Sequence, residues 1–230
     1  MRRLLVLLPL VSLMACASAP PAADGEPREL VVLVHGMGRS EFSMALLQYR
    51  LHRAGYRTLN VGYSSFGPDI ATIAGDVRAE LAEAVERHDP PCVHFVTHSL
   101  GGIVVRQLVA SDPPERMGRV VMLAPPNQGS HEADRLTRWV GWLLRPISEL
   151  RTENSTVAAL GPMDGVDVAV IAGDRDGKVT VDESRLEGAD HVVVGSRHTF
   201  IMNKPSVGRL VACFLTTGEM PACETAEAQP

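Results

Sequence analysis

The chain has 230 residues, room for one domain or two small ones, and is 45 % hydrophobic and 21 % charged. That balance is globular and sets aside disorder and coiled coil. The net charge of −5, more negative still without Arg2 and Arg3, excludes the basic footprint a nucleic-acid partner needs.

Residues Met1 to Ala15 place two arginines before a run from Leu4 to Met14 broken only by Pro9 and Ser12. This is the n-region and h-region of a secretory signal. Its end, Leu13-Met14-Ala15-Cys16, resembles a bacterial lipobox, which would make Cys16 the lipidated first residue of the mature chain. Met14 departs from the small residue usual there. Ordinary cleavage after Ala17 is the rival, and a site after Ala19 is disfavoured by Pro20. Either route implies export, with membrane association if Cys16 carries lipid. Residues 16–28 then form a tether, and 29–216 the folded domain, followed by a tail over 217–230.

The first strand is expected at Leu30–Val34, a valine-rich run too short for a helix. His35-Gly36-Met37-Gly38 follows it. A helical pattern covers Ser43–Ala54, a weak strand Thr58–Val61, and a clear amphipathic helix Ile70–His88 with Ile73, Val77, Leu81 and Val85 four apart. Further strands are expected at Val93–Thr97, Val120–Leu123, Val166–Ala172 and His191–Val194, with helices at Ile103–Ala110 and Val207–Leu215. Continuous apolar runs fit strands covered on both faces, and their alternation with helices gives an α/β, doubly wound, mainly parallel sheet.

Thr97-His98-Ser99-Leu100-Gly101-Gly102 lies between a strand and a helix. A nucleophile at such a turn needs a strained backbone and small neighbours, so that strand and helix can approach closely. Ser99 is the candidate nucleophile; the competing reading is an ordinary helix-capping serine. Acyl transfer also needs two N–H donors for an oxyanion. Leu100, just after Ser99, and Met37, in the glycine-rich loop after the first strand, are the candidates.

These two segments, with Ala124-Pro125-Pro126-Asn127-Gln128-Gly129-Ser130, resemble the α/β-hydrolase superfamily over roughly residues 30 to 215, and bacterial lipase/esterase-like serine hydrolases within it. The resemblance implies an α/β-hydrolase fold and a triad in the order Ser, Asp, His. The acid belongs after the Val166 strand, where Asp174 and Asp176 compete; the family pattern favours Asp176. The base belongs after the last strand, where His198 fits. His191 lies at the wrong end of that strand. His98 and His94 read as structural.

Residues 127–164 form an insertion in which Trp139 and Trp142 stand three apart on an apolar stripe. Two readings stay open: a small lid whose tryptophans bind an acyl group, or a helix buried on the sheet. Cys213 and Cys223, ten apart, can pair, while Cys92 reads as a buried thiol. No cysteine or histidine spacing suggests a metal site, and serine chemistry calls for no cofactor. The expected activity is carboxylic ester hydrolysis. The alternatives are thioesterase or acyltransferase chemistry on envelope lipids or glycans, and a silent envelope binding protein.

Overall fold

The computed structural model describes residues 28–131, 146, 149–150 and 156–220. Cys16, Trp139, Trp142 and Cys223, and with them the expected signal, lipidation site and lid tryptophans, lie outside the described residues.

Six strands make one sheet: β1 (Leu30–Val34), β2 (Arg57–Val61), β3 (Val93–His98), β4 (Met117–Leu123), β5 (Val168–Gly173) and β6 (Asp190–Val194). Their order is β2-β1-β3-β4-β5-β6 and every neighbouring pair is parallel. The longer helices are α1 (Ala45–Arg53), α2 (Ile70–His88), α3 (Leu100–Ser111) and α4 (Pro205–Thr217). They cover both faces, so every residue of β1, β3 and β5 is buried whichever way it points, while β2 and β6 at the sheet edges are only partly covered. Val32 and Val34 join Ile73, Val77, Ile103 and Val104 on the α2/α3 side. Val31 and Leu33 join Leu47, Leu51, Leu210 and Phe214 on the α1/α4 side. This is why β1 is a solid apolar run rather than an alternating one. Among the described residues no helix is long and apolar enough to cross a membrane.

Local chemistry sets the boundaries. Asp69 caps α2 by accepting the Thr72 N–H at 2.8 Å. The Glu149 carboxylate accepts the Ile70 N–H at 2.8 Å, satisfying another first-turn donor. Pro205 opens α4, where its missing N–H costs nothing, and Gly218 ends it at φ 78°. His94 is buried inside β3; its Nδ1 accepts the Arg119 N–H at 2.9 Å and its Nε2 reaches Glu29 at 3.3 Å. It is a partnered core residue, as its place in an apolar strand suggests.

Cys92 corrects the sequence reading. Both described cysteines, Cys92 and Cys213, are disulfide-bonded. The apolar strand explained why Cys92 is buried, but burial fits half of a disulfide as well as a free thiol.

Arg106 of α3 anchors the two ends of the 127–164 segment. Its guanidinium is buried, meets no carboxylate among the described residues, and donates to the carbonyls of Asn127, Leu160 and Gly161 at 3.0, 2.6 and 3.1 Å. Burial lowers its pKa to about 10, so it stays charged at neutral pH. Leu150, Val157 and Met163 are buried in the α2/α3-side core.

Candidate active site

The strand order reverses between β1 and β3, and the crevice outside the carboxyl ends of such neighbours is where doubly wound sheets place their sites. Ser99 stands there, immediately after β3. From Cys92 to Arg106 it is the one residue that is not buried. Its backbone sits at φ 51°, ψ −121°, a region disfavoured for side-chain-bearing residues. Only a sharp strand-to-helix turn imposes that conformation, and it lifts Oγ out of the packed layer. The serine is therefore not capping α3 with its side chain.

Close packing brings the two candidate oxyanion segments together. A Cβ on Gly101 would lie 2.4 Å from the Val34 carbonyl oxygen and 2.7 Å from that of His35. One on Gly36 would lie 2.7 Å from His98 Nδ1 and 3.1 Å from Ser99 Cβ. Glycine at both positions lets the β1 loop rest directly on the elbow. Leu100 is the first residue of α3, whose N–H has no intrahelical acceptor. Neither it nor Met37 donates an N–H within the turns and loops of the described residues.

His198 lies after β6 with its ring between the serine and a carboxylate. Its Nε2 is 3.0 Å from Ser99 Oγ and its Nδ1 is 2.7 Å from Asp176 Oδ2. The geometry assigns the protons: Nδ1–H donates to the carboxylate, leaving Nε2 to accept from the hydroxyl. Burial pushes the Asp176 carboxyl up. The hydrogen bond and charge of His198, with the Val179 and Lys178 amides, outweigh this and hold it below its ordinary value. Those amides donate to Oδ1 at 3.0 and 2.8 Å, fixing the carboxylate's orientation. Asp174 faces elsewhere: its Oδ1 accepts the Ser196 N–H at 2.9 Å. His191 also points away from the serine, meeting Ser184 Oγ at 2.9 Å.

Three further residues support the site, two of them outside any motif. Tyr63, after β2, stacks on His35 at 4.1 Å between centroids and donates its hydroxyl to the His35 carbonyl. Ser65 Oγ accepts the Gly38 N–H at 2.8 Å. Together they hold the β1 loop. Their position just past the carboxyl end of a parallel strand was the available signal. The third is His98, whose Nε2–H donates to the His198 carbonyl at 3.0 Å across a sequence separation of 100 residues.

His98 also makes stability depend on pH. Burial, reinforced by the adjacent His198, lowers its pKa to about 3 from an ordinary 6.5. Between those values the unfolded chain takes up a proton that the folded chain refuses. This contribution to stability is complete above pH 6.5 and is lost as pH falls toward 3, by about 1.4 kcal/mol per unit. Denaturant midpoints at pH 7 and 4.5 are expected to differ less in His98→Gln than in wild type, although His35 and His191, also lowered by burial, add to the slope in both proteins. Equal pH slopes in the two proteins would contradict this.

The sequence pattern of the alpha/beta hydrolase family matches residues 31–185, more than half of the chain and inclusive of Met37, Ser99, Leu100 and Asp176. The chain belongs to the alpha/beta hydrolase family. No curated protein matches it by sequence. Among solved structures this alpha/beta hydrolase is similar to the mature lipase BlEst2 of Bacillus licheniformis, with a TM-score of 0.66 at 18 % identity, covering 90 % of this chain and 96 % of that one. It is also similar to a monoacylglycerol lipase of Paleococcus ferrophilus (TM-score 0.61, 16 % identity, 83 % and 95 % covered). A third is the phospholipase PlaB of Legionella pneumophila (0.64, 17 %, 86 % and 62 %). At these identities the likeness is one of fold. As a hydrolase with this fold, the chain places Ser99, His198 and Asp176 on three loops at one end of the sheet.

Proposed function

We propose that the chain is an exported serine hydrolase of carboxylic esters, its substrates carrying an acyl or lipid group, and that it works through an acyl-enzyme. The observation that carries this reading is the continuous chain of hydrogen bonds from Ser99 through His198 to Asp176, at 3.0 and 2.7 Å. In it His198 takes the hydroxyl proton as Ser99 attacks the carbonyl. Asp176 keeps the imidazole in the right tautomer and stabilises the imidazolium. The Met37 and Leu100 N–H groups receive the oxyanion. The alkoxide leaves with the proton from His198, and water then repeats the sequence to release the acid.

Exposed Phe66 and Phe200 flank the loops of Gly38 and His198, which suits an apolar acyl chain. Trp139 and Trp142 are proposed to extend that apolar contact. Lipase-type substrates, as named for the structural neighbours, fit the same chemistry. Export rests on the leader and on the disulfide-bonded Cys92 and Cys213, which favour an oxidising compartment. Lipidation at Cys16 would hold the enzyme at a membrane.

The test is labelling with a fluorophosphonate, with the adduct mapped by mass spectrometry and compared with His198→Ala. An adduct on Ser99 that depends on His198 is expected, and ester, thioester and acyl-acceptor series would then separate hydrolase from thioesterase and transferase. A folded protein that takes no adduct, with detergent present, would instead mark a silent scaffold.

A further inference from the structure

Beside the triad, on its outer flank, the acid loop, the histidine loop and the start of α4 line an open hollow of about 450 Å³. Its walls carry Arg175, Arg197 and Lys204, with Phe200, Asn203 and Ser196, and among the described residues no carboxylate. The chain as a whole has 27 acidic residues against 22 lysines and arginines, so three cations around one hollow go against its overall charge. Asp174 reaches only Arg175, at 3.3 Å from the rim, and is committed to the Ser196 N–H as well. Among the described residues neither Arg197 nor Lys204 has a carboxylate partner. A fourth cation stands behind the wall: the Arg39 guanidinium lies 5.7 Å from the Phe200 ring centroid and donates to the Thr199 carbonyl.

Folding gains nothing from this grouping. Like charges several ångströms apart repel, weakly in water and more where a wall excludes it. Elsewhere several arginines of the surface meet carboxylates, as in Arg78–Asp112 at 2.8 Å and Arg116–Asp89 at 2.6 Å. Two guanidiniums and an ammonium converging on one hollow match the oxygens of a phosphate group, with the forks supplying paired donors. The positive end of the 13-residue α4 opens onto the same hollow through Lys204 and Pro205.

The floor is preformed. Arg175 N–H donates to the Ser196 carbonyl and Asp174 N–H to that of Val194, both at 3.0 Å. At Gly173 a Cβ would stand 2.6 Å from the Ser196 oxygen, so the two loops lie in close contact. We propose that this hollow is a phosphate-binding site, separate from the Ser99 centre, in which Arg175, Arg197 and Lys204 hold the anion and Phe200 packs against whatever the phosphate is attached to. Arg175 directly precedes Asp176 and Arg197 directly precedes His198, so a bound phosphate clamps together the two loops that hold the base and its carboxylate. The phosphate can belong to a soluble ion or ester, or to a phospholipid headgroup.

The test reads binding rather than turnover, so it stands or falls independently of the reading of Ser99. Inorganic phosphate replaces chloride at constant ionic strength while the thermal midpoint of the full chain is followed. A saturable rise is expected, with a dissociation constant about 100-fold weaker in Arg197→Gln/Lys204→Gln, from two charge-assisted contacts at about 1.5 kcal/mol each. Arg87→Gln/Arg116→Gln, which removes two cations whose partners Glu83 and Asp89 belong to α2 and its end, should bind as wild type does. In a second arm the same proteins are sedimented with vesicles of phosphatidylcholine alone or with equal parts phosphatidylglycerol. Vesicle binding that the first double variant loses, and that free phosphate displaces, assigns the headgroup as the source; a midpoint rise without it assigns a soluble phosphate. The proposal is overturned if neither probe binds saturably, or if both double variants behave alike.

Discussion

Ser99→Ala is expected to lower ester turnover by about 10⁴- to 10⁶-fold, the scale on which triad residues acting as a unit fail together, while the thermal midpoint moves by no more than a few degrees. The two halves have separate physical grounds. Turnover depends on Oγ, since the proposed mechanism forms its covalent bond there, and no other hydroxyl or thiol meets His198 Nε2 among the described residues. Stability depends little on Oγ, which is only partly buried and makes its side-chain hydrogen bond to that same ring. Alanine keeps a Cβ, so the backbone at φ 51° stays as strained as before and no relief offsets the change. Hydrolysis of a p-nitrophenyl ester measured beside a thermal melt decides the matter. Turnover within tenfold of wild type would remove Ser99 from the mechanism, and a collapse of the melt would show that the serine is structural.

The fold was legible because both signals it needed are local. β1 and α2 have the bounds expected from apolar run and fourfold spacing, since burial on both faces and on one stripe leaves those patterns in the chain itself. Ends defined by packing were less legible. β4 begins at Met117 rather than Val120, because Met117 already pairs with Val93, ahead of an irregularity at Gly118 and Arg119 where the Arg119 N–H turns to His94 instead of a carbonyl. At the site, Ser99 sits in a recognisable turn and His198 follows the last strand, so position alone suggested them. Between Asp174 and Asp176 position could not decide. Which carboxylate faces the imidazole depends on amides two and three residues further on, at Lys178 and Val179, and on Ser196 engaging Asp174. Tyr63, Ser65 and the bond from His98 to the His198 carbonyl join segments tens of residues apart, and no one-dimensional pattern encodes such contacts. Glu183 is another case: its buried carboxylate accepts the His131 N–H at 2.7 Å and the Thr180 N–H at 2.6 Å, tying the 127–164 segment to the acid loop.

Two glycines in helices predict opposite outcomes for the same substitution. In Gly101→Ala the new methyl meets the Val34 and His35 carbonyl oxygens at 2.4 and 2.7 Å. These are main-chain atoms of the central β1 and its loop, held between β2 and β3, so no side chain can swing aside. The start of α3 must move outward instead. Overpacking against yielding side chains costs about 1–3 kcal/mol, and an unyielding backbone puts this variant at or above that limit, a fall of about 6–12 °C at about 2–4 °C per kcal/mol. Because Leu100 and Ser99 move with the helix start, turnover should drop by more than the loss of folded protein accounts for. In Gly75→Ala, on the exposed side of α2, the methyl meets nothing within 4 Å. Alanine there should raise stability by about 0.5–1 kcal/mol, since it restricts the unfolded chain and suits a helix interior. Thermal melts of the two variants at equal concentration, with turnover normalised to folded protein, give both signs in one experiment. If Gly101→Ala melts with wild type, the contact between α3 and β1 is looser than 2.4 Å implies, and the argument that tight packing there sets the Leu100 N–H and the strained serine falls with it.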